Sequence, residues 1–202
     1  MENKTPVEVN SLSKLHDFGI ASASAAIGVF DGVHLGHRAI ISKLLEISAK
    51  NNSTPIVITF SPHPREFIWI EKNIHFLRNH EDKLRILGSL GVKAVVTINF
   101  TEEIASMSPE KFIDHLTEAS LCKLKAVCVG RKWRFGSGAL GTVHVLMNIA
   151  SKKGFEVFPV NEVHIECGRV SSSAIRKALI ENNIMLVRRM LSDSSYAPFN
   201  NQ

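Results

Sequence analysis

An apolar segment that runs through a glycine-spaced turn into a helical pattern constrains the fold of this 202-residue chain more than any other feature. Residues 25–30 have the apolar, bounded character of a buried parallel strand, and residues 39–47 carry apolar side chains at helical spacing. Gly28, Gly32 and Gly36 are spaced along the junction, where a glycine lets the backbone approach a ligand without an intervening Cβ. The segment therefore predicts a turn at the carboxyl end of a strand, which is where open α/β sheets bind ligands.

Two histidines, His34 and His37, lie at the mouth of the predicted helix, and their spacing places both rings on one side of it. The first helical turn offers unpaired N–H groups and a partial positive charge to an anion. Two imidazoles add hydrogen-bond donors for the charge that develops on a transferring phosphoryl group. The pattern predicts a phosphate-handling site. A metal pair is the alternative, but no glutamate separates the histidines and the three cysteines are scattered.

The rest of the chain alternates between strand and helix patterns. Strands are predicted at 55–60, 92–98, 125–129 and 155–160, and helices at 81–90, 108–119 and 142–152. This alternation predicts an α/β fold, a doubly wound Rossmann-like parallel sheet with helices on both faces. With 45% hydrophobic residues, the chain is expected to form one domain over residues 1–196, with a possible small appended element and a short tail at 197–202.

A second phosphate-binding element is predicted near the end of the chain. Ser171, Ser172 and Ser173 precede an apolar-periodic helix, so at least one hydroxyl is expected to cap it. Arg176 falls on the first turn, where its guanidinium can reach an anion held by the helix mouth. Capping alone is an equally good interpretation of the serines taken by themselves.

Two further segments are candidates for ligand contact. The stretch 130–141 contains four glycines and is expected to surround a ligand rather than fill the interior, with Arg134 available for a phosphate and Phe135 for a base. The alternative is a surface loop with an incidental basic cluster. The turn 62–64, Pro-His-Pro, is rigid and follows the second predicted strand, at the same sheet edge as the first site. A purely structural role for His63 is the alternative there.

Four segments, in order, resemble the bacterial FAD synthetase family, the FMN adenylyltransferase module found among the H-x-G-H nucleotidyltransferases. The first is G-V-F-D-G-V-H-L-G-H at 28–37. The others are T-F-S-P-H-P-R at 59–65, V-G-R-K-W-R-F-G at 129–136 and V-S-S-S-A-I-R at 170–176. The resemblance extends over about residues 8–196, and it implies the nucleotidylyl transferase version of the predicted fold.

The resemblance also implies an activity and its site residues. The activity is transfer of AMP from ATP to FMN, giving FAD and pyrophosphate, with Mg²⁺ carried by the ATP phosphates and no metal site on the protein. Catalytic roles are implied for His34, His37 and Arg176. Nucleotide binding is implied for Gly28, Val29, Phe30, Asp31, Gly36, Gly130, Arg134, Phe135, Ser171, Ser172 and Ser173. Flavin binding is implied for Phe60, Ser61, Pro62, His63, Pro64 and Lys132.

Two positions depart from the family pattern. Ser61 stands where the family usually has an acidic residue, and Lys132 stands where it usually has Asp or Asn. Lys132 could bind a phosphate or weaken catalysis. The departures leave open a nucleotidyltransferase that acts on another phosphorylated acceptor, such as pantetheine phosphate or glycerol phosphate, and a flavin- or nucleotide-binding protein without turnover.

Family members usually continue into a riboflavin kinase domain after a segment resembling 191–196. Here only 197–202 follow, so no kinase activity is expected from this chain.

The net charge of +5 suits anionic nucleotides, and no basic run interleaved with aromatic residues indicates a nucleic-acid partner. The odd number of cysteines, with no apolar core in the first twenty residues and no membrane-length apolar run, predicts a cytoplasmic enzyme. No feature specifies an oligomeric state.

Overall fold

The computed structural model describes residues 5–68, 76–118 and 120–198. Six strands form one parallel sheet: β1 (Val7–Val9), β2 (Ser22–Ile27), β3 (Thr54–Ser61), β4 (Ala94–Asn99), β5 (Lys123–Gly130) and β6 (Glu156–Val160). Their order across the sheet is β1-β4-β3-β2-β5-β6. Two short strands, β7 (His164–Ile165) and β8 (Gly168–Arg169), form a separate antiparallel hairpin.

Helices lie between the strands of the sheet and after the last of them. They are α1 (Leu35–Lys50), α2 (Pro64–Ile68), α3 (His80–Ser89), α4 (Glu102–Ser106), α5 (Pro109–Thr117), α6 (Val143–Lys153), α7 (Ser172–Ile180) and α8 (Ile184–Leu191). Short 3-10 turns lie at Ser13–Phe18, Asp31–Val33 and Ser137–Ala139. No helix within the described ranges combines the length and apolar character needed to cross a membrane.

Both faces of the sheet are covered, as the alternating pattern predicts. In β2, Ala25 and Ile27 belong to the core cluster that α5 and α6 complete, whereas Ala26 belongs to the cluster that α1 and α3 complete. Successive residues of a strand point to opposite faces, so a strand buried on both sides reads as a continuous apolar run. The predicted doubly wound α/β fold is confirmed.

The sheet reverses its winding at β2. The chain proceeds from β2 to β3 and β4 in one direction, and then β5 pairs with the opposite edge of β2. Ligands of open α/β sheets bind in the crevice that such a reversal opens at the carboxyl ends of the strands. The turn after β2 and the loop after β5 border this crevice.

The element boundaries differ from the expected ones in one informative place. The strand expected at 25–30 begins at Ser22 and ends at Ile27, because Phe30 (φ 54°) and Gly32 (φ 76°) take left-handed conformations that turn the chain out of the sheet. Strand β1, the five-residue helices α2 and α4, the β7–β8 hairpin and α8 were not expected. Most of these elements are too short to show a periodic pattern in the sequence.

Helices α7 and α8 form a small additional layer outside the two faces of the sheet. Helices α7 and α8 pack with Leu77, Val170 and Tyr196 in a separate apolar cluster. This cluster lies directly on the turn after β2, since a Cβ at Gly32 would come within 2.9 Å of Leu77 and 3.1 Å of Leu191. The layer brings the second predicted phosphate element to the first, since Ser172 and Arg176 both bond to Asp31.

Candidate active site

The turn after β2 is braced by β3. The amide of Gly28 donates to the carbonyl of Ile58 (3.0 Å), and the Thr59 hydroxyl donates to the carbonyl of Val29 (2.9 Å). The ring of Phe30 is fully buried. These contacts of Gly28, Val29 and Phe30 therefore fix the shape of the turn. Their contact with a nucleotide stays a prediction.

His34 closes the turn and caps α1. Its Nδ1 accepts a hydrogen bond from the amide of His37 (3.3 Å), so in the neutral ring the proton resides on Nε2. The rings of His34 and His37 stack with their centroids 3.7 Å apart and their planes 11° apart. Gly36 permits this arrangement, because a Cβ there would lie 3.1 Å from the His34 ring.

Both imidazoles are neutral near pH 7. Burial lowers the pKa of His34 to about 4. Burial, with the proximity of the His34 ring and the charge of Lys83, places the pKa of His37 well below its ordinary range. Within the described part of the chain, His37 Nδ1 is buried without a hydrogen-bond partner. The pair thus presents neutral N–H groups, with His34 Nε2–H as a donor whose tautomer is set by the cap.

Asp31 joins the turn to two distant parts of the chain. Its Oδ1 accepts from the amide of Leu77 (3.0 Å), and its Oδ2 accepts from the Arg176 guanidinium (2.5 Å). Its carbonyl accepts from the Ser172 hydroxyl (3.4 Å). Burial raises the pKa of the Asp31 carboxyl, while the Arg176 charge acts in the opposite direction. The carboxylate predicted to bind nucleotide is therefore engaged by the protein, where it positions Arg176.

The three serines have different roles at the mouth of α7. Ser171 is the cap, with its side chain accepting from the amide of Ala174 (3.2 Å). Ser172 reaches the backbone of the β2 turn, whereas Ser173 is exposed. The capping interpretation is confirmed for Ser171, and a ligand role stays a prediction for Ser172 and Ser173.

The turn after β3 reaches the same edge. His63 is buried, and its Nδ1 accepts from the amide of Arg65 (3.0 Å). Its pKa is lowered to about 4 by burial, and next by the charges of Arg176 and Arg65. The influence of Arg176 places this turn within electrostatic range of α7. Ser61 and Pro62 are exposed at this edge, and Pro64 begins α2.

Aromatic residues behind these turns belong to the core. Phe60 is half-buried and meets the ring of Phe100 edge-on at 5.8 Å. Phe135 is buried, stacks on Trp133 at 4.6 Å and lies 5.9 Å from Phe112. The loop after β5 was expected to surround a ligand rather than fill the interior. For Phe135 this expectation is wrong, because its side chain is part of the core. Its ring packs over Gly141, where a Cβ would come within 2.6 Å, so a base-stacking role for Phe135 stays a prediction.

The loop after β5 presents its charges outward. Lys132 is exposed and pairs with Glu162 (2.8 Å), which also pairs with Arg169 (2.5 Å). Gly130 ends β5, and Arg134 is exposed. The Lys132 ammonium is thus balanced by a carboxylate from the connection between β6 and α7, a partner that no local motif in the sequence indicated.

Residues 20–174 match the family model described as FAD synthetase. The chain belongs to the FAD synthetase family. It is 33% identical over 184 residues to a bifunctional riboflavin kinase/FMN adenylyltransferase of Buchnera aphidicola, covering 91% of this chain and 57% of that protein. It is 30% identical over 195 residues to an FAD synthetase of Listeria monocytogenes, covering 94% of this chain and 76% of that protein.

The chain spans about half the length of the bifunctional relatives that it matches. A further match, the bifunctional enzyme of Escherichia coli, is 35% identical over 166 residues, which is 82% of this chain and 52% of that protein. Among solved structures, a macrolide-efflux protein of Streptococcus pneumoniae superposes with a TM-score of 0.77 at 24% identity, over 94% of this chain and 60% of the other. This likeness shows the shared fold.

Sequence reasoning missed three contributors to the site of this FAD synthetase family member. They are the Leu77 amide that binds Asp31, the Glu162 partner of Lys132, and Lys83 on α3, whose charge acts on Asp31 and on both His37 and His63. Within the described ranges, no three His, Cys, Asp or Glu side chains are grouped as a metal site.

The buried histidines predict an acid-sensitive fold. His34 and His63 have pKa values of about 4, against 6.5 ordinarily. Between these pH values the unfolded chain binds protons that the folded chain does not, so the free energy of unfolding is expected to fall as pH decreases, by up to about 1.4 kcal/mol per pH unit for each histidine. Urea unfolding at about pH 7 and about pH 5 measures this loss.

The matched variants are His63→Gln and His144→Gln. A glutamine at 63 removes one titrating group and should reduce the pH slope, whereas the same change at exposed His144 should leave the slope as in the parent chain. Equal slopes for the parent and His63→Gln would contradict the assignment.

Proposed function

We propose that this chain synthesises FAD by transferring AMP from ATP to FMN, with release of pyrophosphate. The observation that carries the proposal is the pairing of two phosphate-binding helix mouths at the reversal of the sheet. The first is α1 with His34 and His37, and the second is α7 with Arg176, which Asp31 joins to the first. Membership of the FAD synthetase family supports the choice of flavin as acceptor.

The reaction needs positioning and charge stabilisation rather than a covalent nucleophile on the protein. An oxygen of the FMN phosphate attacks the α-phosphorus of ATP in line. The bond between that phosphorus and the oxygen that bridges the α- and β-phosphates breaks. Pyrophosphate leaves with the electron pair. Mg²⁺ would enter as part of the nucleotide substrate and would neutralise part of the charge on its phosphates.

The side chains divide this work by position. The His34 Nε2–H and the His37 ring face the transferring phosphate as neutral donors, so they stabilise developing negative charge without forming an ion pair in the ground state. Arg176 and the free amides of the α7 mouth bind the polyphosphate, since guanidinium and helix N-termini both favour anions.

The flavin is proposed to lie against the turn after β3 and the loop after β5. His63 has its Nδ1 occupied by the Arg65 amide, so its neutral ring offers Nε2–H at this edge. Ser61 and Pro62 are exposed beside it. Lys132 lies on the loop after β5, where it pairs with Glu162 (2.8 Å).

The cellular setting follows from the thiols and the substrates. Cys122 and Cys128 are buried free thiols, as is usual for proteins of reducing compartments. We therefore assign the reaction to the cytoplasm.

The test is an incubation of the purified chain with FMN, ATP and Mg²⁺, following FAD and pyrophosphate by chromatography, with riboflavin in a parallel tube. FAD from FMN alone is the expected result. Absence of FAD in both tubes would contradict the proposal. Product formation only with pantetheine phosphate or glycerol phosphate, tested with ATP and CTP, would instead indicate another acceptor.

A further inference from the structure

Lys83 lies on the part of α3 that is held against the phosphate-binding turn. The segment leading into α3 is bound twice to that turn, by the Leu77 amide to Asp31 (3.0 Å) and by Arg78 Nε to the carbonyl of Gly32 (3.3 Å). The residue after Lys83, Leu84, packs in the core cluster that contains Phe30. Helix α3 therefore cannot move away from the site without breaking these contacts.

The ammonium of Lys83 is half-buried and lacks a hydrogen bond or ion pair to any residue in the described ranges. Two carboxylates lie within its electrostatic range, and both are engaged elsewhere. Asp31 binds Arg176 and Leu77, while Glu8 accepts from Thr97 (2.6 Å) and pairs with His80 (2.9 Å). Burial lowers the pKa of Lys83, which is the cost of holding a cation away from water. An anionic ligand would offset that cost.

The packing of α3 indicates which anion Lys83 would meet. Helix α3 contacts the turn Asp31–Val33, which leads directly into the mouth of α1, where His37 lies. In agreement with this placement, the Lys83 charge lowers the pKa of His37 and also that of His63, in the turn after β3. The first belongs to the site of phosphoryl transfer and the second to the turn where the flavin is proposed to lie. The group that must connect the two places during the reaction is the phosphate of FMN, which is attached to the flavin and attacks the α-phosphorus.

We propose that Lys83 is a further substrate-binding residue, whose ammonium binds the phosphate of FMN and holds it between His37 and His63 for attack on ATP. The identity of the acceptor rests on the proposed function. An ammonium is a compact point charge with three donors, which suits a phosphate whose oxygens must rotate as one of them becomes the attacking nucleophile.

The test compares flavin binding to the full chain without ATP, by flavin fluorescence. Lys83→Met should weaken FMN binding about tenfold to a hundredfold, the effect of one charge-assisted hydrogen bond, and should leave riboflavin and ATP binding unchanged. Lys83→Arg should restore most of the FMN affinity. Lys111→Met, at an exposed lysine of α5, is the matched control.

Unchanged FMN affinity in Lys83→Met would overturn the proposal, and so would weaker binding of ATP in place of FMN. If that variant does not fold, the test is made on the parent chain, by chemical labelling of Lys83. FMN, and not riboflavin, should slow reductive methylation of the Lys83 amine measured by mass spectrometry, and an unchanged labelling rate would also overturn the proposal. A chain that makes no FAD but shows these differences would contradict the proposed function and leave the Lys83 site standing.

Discussion

Replacing His37 with alanine is expected to lower the rate of FAD formation about a hundredfold while leaving the fold intact. Its ring stacks on His34 at 3.7 Å, at the mouth of α1, where the transferring phosphate is proposed to bind. Loss of one preorganised donor to developing oxyanion charge costs roughly 3 kcal/mol, or about a hundredfold in rate. His37 makes a cleaner test than His34, because the His34 side chain also caps α1.

The measurement is kcat for FAD formation with saturating FMN and ATP, beside a thermal unfolding curve for each variant. His144→Ala, at an exposed histidine of α6, is the control and should keep the parent rate. Turnover of His37→Ala at the parent rate would rule out a role for this imidazole in phosphoryl transfer. A large loss of thermal stability would show that the ring has a structural role instead.

The frame of the fold was predictable because its signals are local. Strands such as β2 and β4 are buried on both faces and read as apolar runs. Helix α5 has its cap at Ser108, the first residue of the helix predicted at 108–119. The turn after β2 was predictable for the same reason, since its glycines and histidines lie within eleven residues. Boundaries were less accurate where a left-handed residue, Phe30, ends the strand while still apolar.

The connections within the site were not predictable, because they join residues far apart in the sequence. Asp31 binds Leu77 across 46 positions and Arg176 across 145 positions. No local pattern encodes either partner. No sequence pattern marked Lys83 as a residue of the site, since a lysine in an amphipathic helix ordinarily lies on the solvated face. Phe135 illustrates the opposite error, in which a glycine-rich setting suggested exposure for a ring that packs into the core.

Asp31→Ala is expected to destabilise the protein by about 3 kcal/mol and to abolish most of the FAD-forming activity. The substitution removes a buried carboxylate from the Arg176 guanidinium and leaves the Leu77 amide without its acceptor. Removing one partner of a buried, hydrogen-bonded ion pair typically costs a few kcal/mol, since the other charge stays in a poorly hydrated place. Urea unfolding at neutral pH gives the change in the free energy of unfolding, and the FAD assay gives the change in turnover.

Asp31→Asn separates the structural role of this residue from its electrostatic role. The amide oxygen can still accept from Leu77, so the loss of stability should be smaller than in Asp31→Ala, because only the pairing with Arg176 is lost. Arg176 nevertheless loses the charge that orients it, and turnover should fall much more than stability does. Equal behaviour of the alanine and asparagine variants in both assays would show that Asp31 serves the fold alone. Parent-like turnover in the asparagine variant would show that Arg176 needs no anionic partner to hold the nucleotide phosphates.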